Sequence, residues 1–262
     1  MNYPIGIVVA ALSILLSVLH LNQSLLNYYD FVGITVVLGG SLSVACVILP
    51  WKSRKELAIS VRGLVSEKSI DPRSVASEAL RIVRGGAGNI TLRGLPGDVL
   101  RDGVELIELG LKTDEIEAIL RERIYQQTEI KQTIANSFRS LAKYPPAFGL
   151  LGTVLGLVSL MRAVSNGASS EEVGVRMAVA LVATLYGLIF SNILINPAGE
   201  AMTATALSEA KTAEISLQGI LLASEGASVL VAQEMLNSFL PRDHRLNALS
   251  GGDGVSEARR AA

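Results

Sequence analysis

The sequence predicts an all-α integral membrane protein with four transmembrane helices and a helical cytoplasmic domain. Four long stretches are apolar and contain no Asp, Glu, Lys or Arg: residues 4–21, 31–49, 144–161 and 177–198. Each is close to the roughly 20 residues that a helix needs to cross a bilayer. Hydrophobic residues make up 50% of the 262-residue chain, so a water-soluble part is also expected between the second and third stretches.

The basic residues predict the orientation in the membrane. Residues 51–143 contain 16 of the 23 Lys and Arg side chains, whereas residues 22–30 contain none. Because Lys and Arg concentrate in cytoplasmic loops, we expect the insert and both termini to be cytoplasmic. The expected domains are a first pair of spans in 1–50, a cytoplasmic helical domain in 51–141, a second pair of spans in 142–198, a cytoplasmic helix in 199–240 and a disordered tail in 241–262.

Capping signals predict helices in the insert. Asp71 followed by Pro72 is typical of a helix start, and Asp98 is expected to open the next helix. Asp114 with Glu117 resembles a capping box for a third helix. Apolar residues continue at helical spacing from this third helix toward residue 141, which predicts that it runs into the third span.

The pattern of polar residues argues against an enzyme. The chain has no GxxxxGK phosphate loop, and its two histidines, His20 and His244, are far apart without neighbouring metal ligands. No cofactor or metal ion is therefore expected. The net charge of −1 gives no indication of nucleic-acid binding.

Small and weakly polar residues recur at helical spacing in the third and fourth stretches. In the third stretch these residues are Gly149, Gly152, Thr153 and Gly156. In the fourth they are Ala180, Thr184, Gly187 and Ser191. Such stripes allow close helix packing in lipid, and threonine hydroxyls can also replace part of an ion's water shell. The two stripes therefore have two alternative interpretations: helix packing, or the lining of an ion pathway.

Prolines lie at the predicted cytoplasmic ends of these two stretches. Pro145 and Pro146 precede the third, and Pro197 ends the fourth. Proline removes a backbone donor and kinks or ends a helix. Two breaks at similar depth would form a hinge, although Pro145 and Pro146 would equally serve as the start of a helix.

The four stretches contain no Asp, Glu, Lys or Arg, and the one histidine among them, His20, lies at the end of the first. Coupled ion transport normally requires an ionisable group within the membrane. If the chain moves ions, a second protein must supply the carboxylate. The sequence therefore predicts an obligate partner with an intramembrane Asp or Glu.

These motifs resemble those of a known family. Residues 145–158, Pro-Pro-Ala-Phe-Gly-Leu-Leu-Gly-Thr-Val-Leu-Gly-Leu-Val, resemble the third span of flagellar motor stator A subunits, the MotA/PomA family within the MotA/TolQ/ExbB proton channel superfamily. Residues 177–187, with Ser191-Asn192 and Pro197, are similar to the fourth span of that family. Asp30 before the Val-Leu-Gly-Gly-Ser of residues 37–41 is similar to the start of its second span.

The resemblance implies a rotary ion-driven stator in the bacterial inner membrane. It implies a homopentameric ring around a dimer of B subunits (MotB/PomB-like), which supply the ion-binding Asp, and torque on the rotor switch protein FliG for motility and chemotaxis. The transported ion, H⁺ or Na⁺, remains open. The implied ion-pathway residues are Thr153, Thr184, Gly152, Gly156, Ala180 and Gly187. Pro146 and Pro197 are the implied coupling prolines, and Asp30 is placed near the outer mouth.

The cytoplasmic resemblance departs from the family pattern. Arg84 lies where the family has a rotor-contacting basic residue, but the family's following Leu-Glu appears here as Leu92-Arg93. The charge at residue 93 is therefore reversed, and a solvated charged face is the alternative interpretation for both arginines. Two other functions remain as alternatives: an ExbB/TolQ-like subunit that energises outer-membrane processes, and a non-transporting membrane scaffold.

Overall fold

The computed structural model describes residues 2–20, 28–49, 57, 61–63, 70–86 and 90–246, and these residues contain no strand. The helices in the order of the chain are α1 (Asn2–His20), α2 (Phe31–Ile48), α3 (Pro72–Val83), α4 (Leu95–Glu108), α5 (Thr113–Ser140), α6 (Tyr144–Ser165), α7 (Ser170–Ile189), α8 (Asn196–Ser224) and α9 (Val229–Ser238). A 3₁₀ turn (Leu141–Lys143) joins α5 to α6, and a π-helical segment (Phe190–Ile195) joins α7 to α8. The all-α prediction is confirmed for the described residues.

Three helical stretches in the described part of the chain are long and apolar enough to cross a membrane. They are Phe31–Ile48, Thr113–Ser165 and Ser170–Ser224. The first predicted span corresponds to α1, whose apolar part, Pro4–His20, is shorter. Large apolar side chains are exposed along these helices, Leu16 at 64% and Val47 at 86% among them, which suits contact with lipid. The count of four spans stays a prediction.

The chain divides into two compact units, and the division falls within α5 and α8. Unit 1 comprises Met1–Lys68 and Lys131–Ala204, and unit 2 comprises Ser69–Ile130 and Thr205–Ala262. The candidate spans α1, α2, α6 and α7 belong to unit 1. The predicted cytoplasmic residues 70–86 and 90–130 belong to unit 2, together with the second half of α8 and all of α9.

Unit 1 is held together by close approach of helices through small residues. A Cβ atom added to Gly156 of α6 would lie 2.5 Å from the Cβ of Ala180 in α7. One added to Gly149 would lie 2.9 Å from the carbonyl oxygen of Ala183. Helix α2 joins the pair because Gly40 leaves room for the ring of Phe148. The packing interpretation of the glycine stripe therefore has a direct structural basis.

The two irregular segments of unit 1 contact each other at a buried hydrogen bond. In a continuous α-helix the N–H of residue 146 would donate to the carbonyl of Ala142, but Pro146 has no N–H. The buried hydroxyl of Ser191, in the π-helical segment, donates to that carbonyl at 2.6 Å. A side chain of one helix thus replaces the backbone donor that proline removes from the other.

The helix starts in unit 2 follow the sequence in part. Helix α3 begins at Pro72 as predicted, and the Asp71 carboxylate accepts from the N–H of Arg73 at 3.1 Å. Helix α4 begins at Leu95 rather than at Asp98, because Gly94 takes a φ of +77° that favours glycine. At the start of α5, Glu115 accepts from the N–H of Lys112 at 3.0 Å, in the role predicted for Glu117. Glu117 instead binds Arg121.

The core of unit 2 is apolar and collects side chains from five helices. Its fully buried members include Val75 of α3, Leu100 of α4, Leu120 of α5, Ile220 of α8 and Leu236 of α9. Ile220 packs where Gly103 has no side chain, since a Cβ there would lie 2.5 Å from an Ile220 side-chain carbon. Unit 2 therefore has a hydrophobic core of its own.

Residues 225–246 depart from the simple helix and tail that the sequence predicted. Helix α8 ends at Ser224, and α9 starts after Ser228, which accepts from the N–H of Val231. The side chain of Asn237 binds both the N–H and the carbonyl of Leu246, at 2.7 and 3.0 Å, and Gln233 donates to the same carbonyl at 2.7 Å. Leu246, in the predicted disordered tail, is thus anchored to α9, and residues 247–262 lie outside the described residues.

Replacement of Gly156 by leucine should weaken unit 1. The new side chain would overlap Ala180, and overpacking costs about 1–3 kcal/mol. We expect Gly156→Leu to lower the thermal unfolding temperature of the purified protein. Gly174→Leu, in neighbouring α7 with no atom within 4 Å of the added Cβ, is the matched control and should leave that temperature unchanged or raise it. Equal behaviour of the two variants would contradict this packing.

Replacement of Ser191 by alanine should leave the Ala142 carbonyl without its donor, at a cost of about 1–3 kcal/mol. Ser17→Ala removes an exposed serine hydrogen bond within α1 and serves as the control. The second change Pro146→Ala restores a backbone N–H, so the double variant Ser191→Ala/Pro146→Ala should regain stability. Additive losses in the double variant, measured by thermal unfolding, would show that the hydroxyl does not replace the missing donor.

Candidate functional site

Thr153 of α6 and Thr184 of α7 face each other, and their hydroxyls are hydrogen-bonded. The Thr153 hydroxyl also lies 3.1 Å from the carbonyl oxygens of Gly149 and Ala180, and the Thr184 hydroxyl lies 3.4 Å from that of Gly149. Both side chains are half-buried. Each hydroxyl has one hydrogen and two lone pairs, so this group of four oxygens has more acceptor capacity than donors. Such a group suits contact with a cation or a proton donor.

The small residues predicted for the ion pathway surround this oxygen group and bring the helices together. An added Cβ at Gly152 would meet the Cβ of Ala183 at 2.8 Å, and one at Gly187 would meet the carbonyl oxygen of Pro145 at 2.5 Å. Gly156 and Ala180 are in contact one turn along the pair. Within one chain these four residues therefore act in packing, and their lining of a pathway stays a prediction.

Pro146 and Pro197 stand at the two irregular segments described above. Pro146 lies in the first turn of α6, directly after the 3₁₀ turn, and Pro197 is the second residue of α8, directly after the π-helical segment. The interpretation of Pro145 and Pro146 as a helix start thus has structural support, since α6 begins at Tyr144. A hinge role for Pro146 and Pro197 stays a prediction.

A cleft of about 500 Å³ opens beside Pro146, and we name it the proline cleft. Its lining residues are Asn136, Arg139, Ser140, Ala142, Lys143, Pro146, Ser191, Asn192 and Asn196. All nine belong to unit 1. The sequence analysis did not identify this cleft, because it arises only where the 3₁₀ turn and the π-helical segment meet.

Asp30 caps helix α2. Its two carboxylate oxygens accept from the N–H groups of Val32 and Gly33 at 3.0 and 2.8 Å, and its own N–H donates to the hydroxyl of Tyr186 at 3.1 Å. The Tyr186 hydroxyl in turn donates to the carbonyl of Tyr28. The residue is half-buried, so its charge is directed partly toward the helix start. Its place at the mouth of a pathway stays a prediction.

Sequence reasoning missed Tyr186 and the role of Ser191. A tyrosine within a long apolar run needs a partner for its hydroxyl, and this was the available signal for Tyr186. Ser191 was noticed only as a member of the small-residue stripe. Its hydrogen bond to Ala142 depends on a π-helical segment that no local sequence pattern announces.

Arg84 and Arg93 are exposed on unit 2, beside the start and the end of a loop between α3 and α4. Among the described residues neither arginine makes an ion pair. Neighbouring Arg81 differs, because its hydrogen bond to Glu78 raises the pKa of its guanidinium and holds the side chain against α3. Arg84 and Arg93 thus present guanidinium groups to solvent. Their contact with a rotor stays a prediction.

The described residues contain no group of three or more His, Cys, Asp or Glu side chains that would hold a metal ion. The single cysteine, Cys46, is exposed on α2. The candidate site of unit 1 therefore consists of hydroxyls, backbone carbonyls, amides and basic side chains.

Comparison with known proteins relates the chain to a family of ion channels. Residues 92–215 match the model of the MotA/TolQ/ExbB proton channel family, and this matched segment includes α6 and α7. The chain is 25% identical to Motility protein A of Bacillus subtilis over 257 residues, covering 95% of this chain and 94% of that protein. It is 25% identical to the chemotaxis protein PomA of Vibrio alginolyticus, covering 86% and 89%. Motility protein A of Borreliella burgdorferi is 31% identical over a segment that covers 58% of each chain.

Two solved structures share the fold. The MotAB structure from C. jejuni superposes with a TM-score of 0.82 at 17% identity, covering 92% of this chain and 96% of that one. The flagellar MotAB stator complex from Bacillus subtilis gives a TM-score of 0.78 at 23% identity, with coverages of 93% and 98%.

The family consists of ion-conducting proteins rather than enzymes, and the relatives are motility proteins whose similarity extends through the helices that hold Thr153 and Thr184. This chain is therefore similar to the MotA/TolQ/ExbB proton channel family over residues 92–215, and to Motility protein A and PomA over most of its length.

Proposed function

We propose that this chain is the ion-conducting A subunit of a flagellar stator in the bacterial inner membrane. In this proposal a homopentameric ring of A subunits surrounds a B-type dimer, and H⁺ or Na⁺ flow turns the ring and exerts torque on the rotor switch protein FliG. The observation that carries the proposal is the contact between Thr153 and Thr184, two hydroxyls on helices whose predicted spans lack any acidic or basic side chain. Both similar solved structures are of MotAB, which supports a B-type partner here.

The partner supplies the titratable group. The oxygen group around Thr153 holds no carboxylate, so it is suited to pass an ion along rather than to hold a proton. An Asp on the B subunit, placed against α6 and α7, would complete the site. We place the outer mouth near Asp30 and the coupling to the cytoplasmic part near Pro146 and Pro197. Both termini are proposed to be cytoplasmic, from the 16 basic residues in 51–143.

The flagellar function is favoured over an ExbB/TolQ-like one by the relatives that align over most of the chain. The B. subtilis and V. alginolyticus proteins are named for motility and chemotaxis, and they align over 95% and 86% of this chain. The choice between H⁺ and Na⁺ is not decided by the hydroxyls, because oxygen ligands of this kind serve either ion.

The hydroxyl of Thr153 should be required for ion-driven rotation. Thr153→Val keeps the shape of the side chain and removes the hydroxyl, whereas Thr153→Ser keeps the hydroxyl. We expect the valine variant to lose most swimming speed and the serine variant to keep most of it, in cells that assemble the A–B complex at normal levels. Speed measured in sodium-free medium, with and without a protonophore, identifies the ion.

Thr35→Val is the matched control for this experiment. Thr35 is an exposed threonine on α2 whose hydroxyl donates to the carbonyl of Phe31 at 2.8 Å, the same local bond that a helical threonine makes to its own backbone. Normal swimming in Thr153→Val with undiminished ion dependence would remove Thr153 from the pathway. An equal loss in Thr35→Val would point to folding rather than ion passage.

The exposed arginines of unit 2 should contribute to torque through their charge. Arg84→Glu and Arg93→Glu are expected to slow rotation without loss of A–B assembly, and a reversed charge on the rotor protein should restore part of the speed. Arg73→Glu, a reversal at another exposed arginine of unit 2, is the control. If tethered-cell rotation is normal in the Arg93 variant and slow in the Arg84 variant, Arg84 alone makes the contact.

A further inference from the structure

We propose that Gln233 and Asn237, on the buried face of α9, form a binding site for an extended peptide with an aliphatic side chain. We name these two side chains the amide clamp. The clamp is occupied by the chain's own Leu246, which ends a segment that we name the strap (Pro241–Leu246). A partner protein that presents a similar segment would replace the strap, so this inference goes beyond ion conduction and torque.

The amide clamp interrupts an apolar helix face. Gln233 and Asn237 are four residues apart, so they lie on one side of α9, and they are only 3% and 4% exposed. The other buried side chains on this face, those of Ala232, Leu236 and Leu240, are apolar. Amide side chains are seldom buried unless they are hydrogen-bonded. Two amides in this position therefore indicate that the face binds a polar ligand as well as the apolar core.

The clamp binds the main chain of a single residue. Asn237 accepts from the N–H of Leu246 at 2.7 Å and donates to its carbonyl oxygen at 3.0 Å. Gln233 donates to the same carbonyl oxygen at 2.7 Å. The half-buried Leu246 side chain packs against the core of unit 2. The hydrogen bonds thus recognise peptide backbone of any sequence, while the apolar contact selects an aliphatic side chain.

One acceptor of the clamp is left over. The Oε1 atom of Gln233 is buried, and among the described residues it has no hydrogen-bond partner. An extended peptide directs every second N–H to the same side, at intervals of about 6.8 Å, and Gln233 and Asn237 are about 6 Å apart along the axis of α9. A peptide residue paired with Asn237 would therefore bring the N–H two residues later to Gln233. The clamp can bind a ligand longer than one residue.

The strap is anchored mainly at its last residue. Residues 241–245 are exposed, and the N–H of His244 donates to the carbonyl of Pro241 at 2.9 Å within a 3₁₀ turn. A ring nitrogen of His244 lies 3.8 Å from a carboxylate oxygen of Asp71, but both side chains are more than half exposed. Such an exposed pair contributes little free energy. A competing peptide therefore has to displace little more than Leu246.

The test measures binding of a fluorescent peptide to the purified full-length chain in detergent. The peptide is Pro-Arg-Asp-His-Arg-Leu-Ala-Ala amide, which repeats the strap and adds two residues. Leu246→Pro opens the clamp, because proline has no N–H for Asn237. We expect saturable binding to this variant by fluorescence anisotropy. Binding to the wild type should be at least about tenfold weaker, because the strap competes as a tethered ligand. Absence of binding to Leu246→Pro would overturn the proposal.

Two N-methylated peptides test the register without any change to the protein. Methylation of the last alanine removes the N–H that the free acceptor of Gln233 should receive, and we expect binding to weaken about fivefold. Methylation of the preceding alanine removes an N–H that an extended chain directs to the other side, and it should leave the affinity unchanged. Because the protein is the same in both measurements, a folding defect cannot produce the difference. Equal effects of the two methyl groups would overturn the proposal.

Substitutions in the clamp test the site itself, in the Leu246→Pro background. Asn237→Asp and Gln233→Glu keep the shape of each side chain but replace its N–H donors by a negative charge that faces the peptide carbonyl. We expect each to weaken binding at least about tenfold. Asn166→Asp and Gln127→Glu make the same changes at exposed residues and should leave binding unchanged. Undiminished binding to both clamp variants would show that the peptide binds elsewhere.

Hydrogen exchange follows the strap in the wild type. The N–H of Leu246 should exchange more slowly than that of exposed Arg245, because it is bonded to Asn237. Excess peptide should accelerate exchange at Leu246 by displacing the strap, and unchanged exchange would contradict replacement of the strap. None of these measurements depends on ion flow, so their failure is separate from failure of the stator function.

Discussion

Helices α6 and α7 approach each other closely through glycines and other small residues. Where a Cβ is absent, at Gly149, Gly156 and Gly187, the partner backbone or Cβ atom lies within 2.5–2.9 Å of the position that the missing atom would occupy. In lipid such contacts are favourable through van der Waals packing and polar contacts, since apolar surface gains nothing by leaving a hydrocarbon solvent. The hydrogen bond between Thr153 and Thr184 is possible only because the backbones come this close.

The fold class and the long helices followed from composition and spacing. Runs free of charge and apolar periodicity survive any tertiary context, so the helices that contain residues 31–48, 144–161 and 177–189 could be predicted. The details at helix ends could not. Asp98 and Leu95 are competing starts for α4, and the decision depends on the left-handed backbone at Gly94, which a linear sequence does not display. Likewise Glu115 and Glu117 are both acidic residues near the start of α5, and only the structure shows which one accepts a hydrogen bond from the backbone N–H of Lys112.

The residues of the candidate site could be predicted from the sequence, but the contacts between them could not. The sequence analysis placed Thr153 and Thr184 in two separate small-residue stripes, one on each helix. Their direct contact depends on the axial register between α6 and α7, which local sequence patterns do not define. Asp30 was noted for its charge, whereas its geometry is that of a helix cap held beside Tyr186. Its charge and its capping bonds are linked, because asparagine at residue 30 would lose the charge and would offer one oxygen in place of the two that accept from Val32 and Gly33. The proline cleft could not be predicted from the sequence, because Ala142 and Ser191, which join its walls, are 49 positions apart.

The π-helical segment Phe190–Ile195 has a consequence for every comparison made along this part of the chain. A π turn adds a residue to the ladder, so the direction of all side chains beyond it is rotated by about 100° relative to an uninterrupted α-helix. A helical wheel that continues from Ala180 through Ser191 into α8 therefore assigns the residues of α8 to the wrong faces. Deleting one residue between 190 and 195 would restore a regular α-helix. Asn196 and Pro197 would then point in different directions around the helix axis, and the two walls of the cleft would no longer face each other.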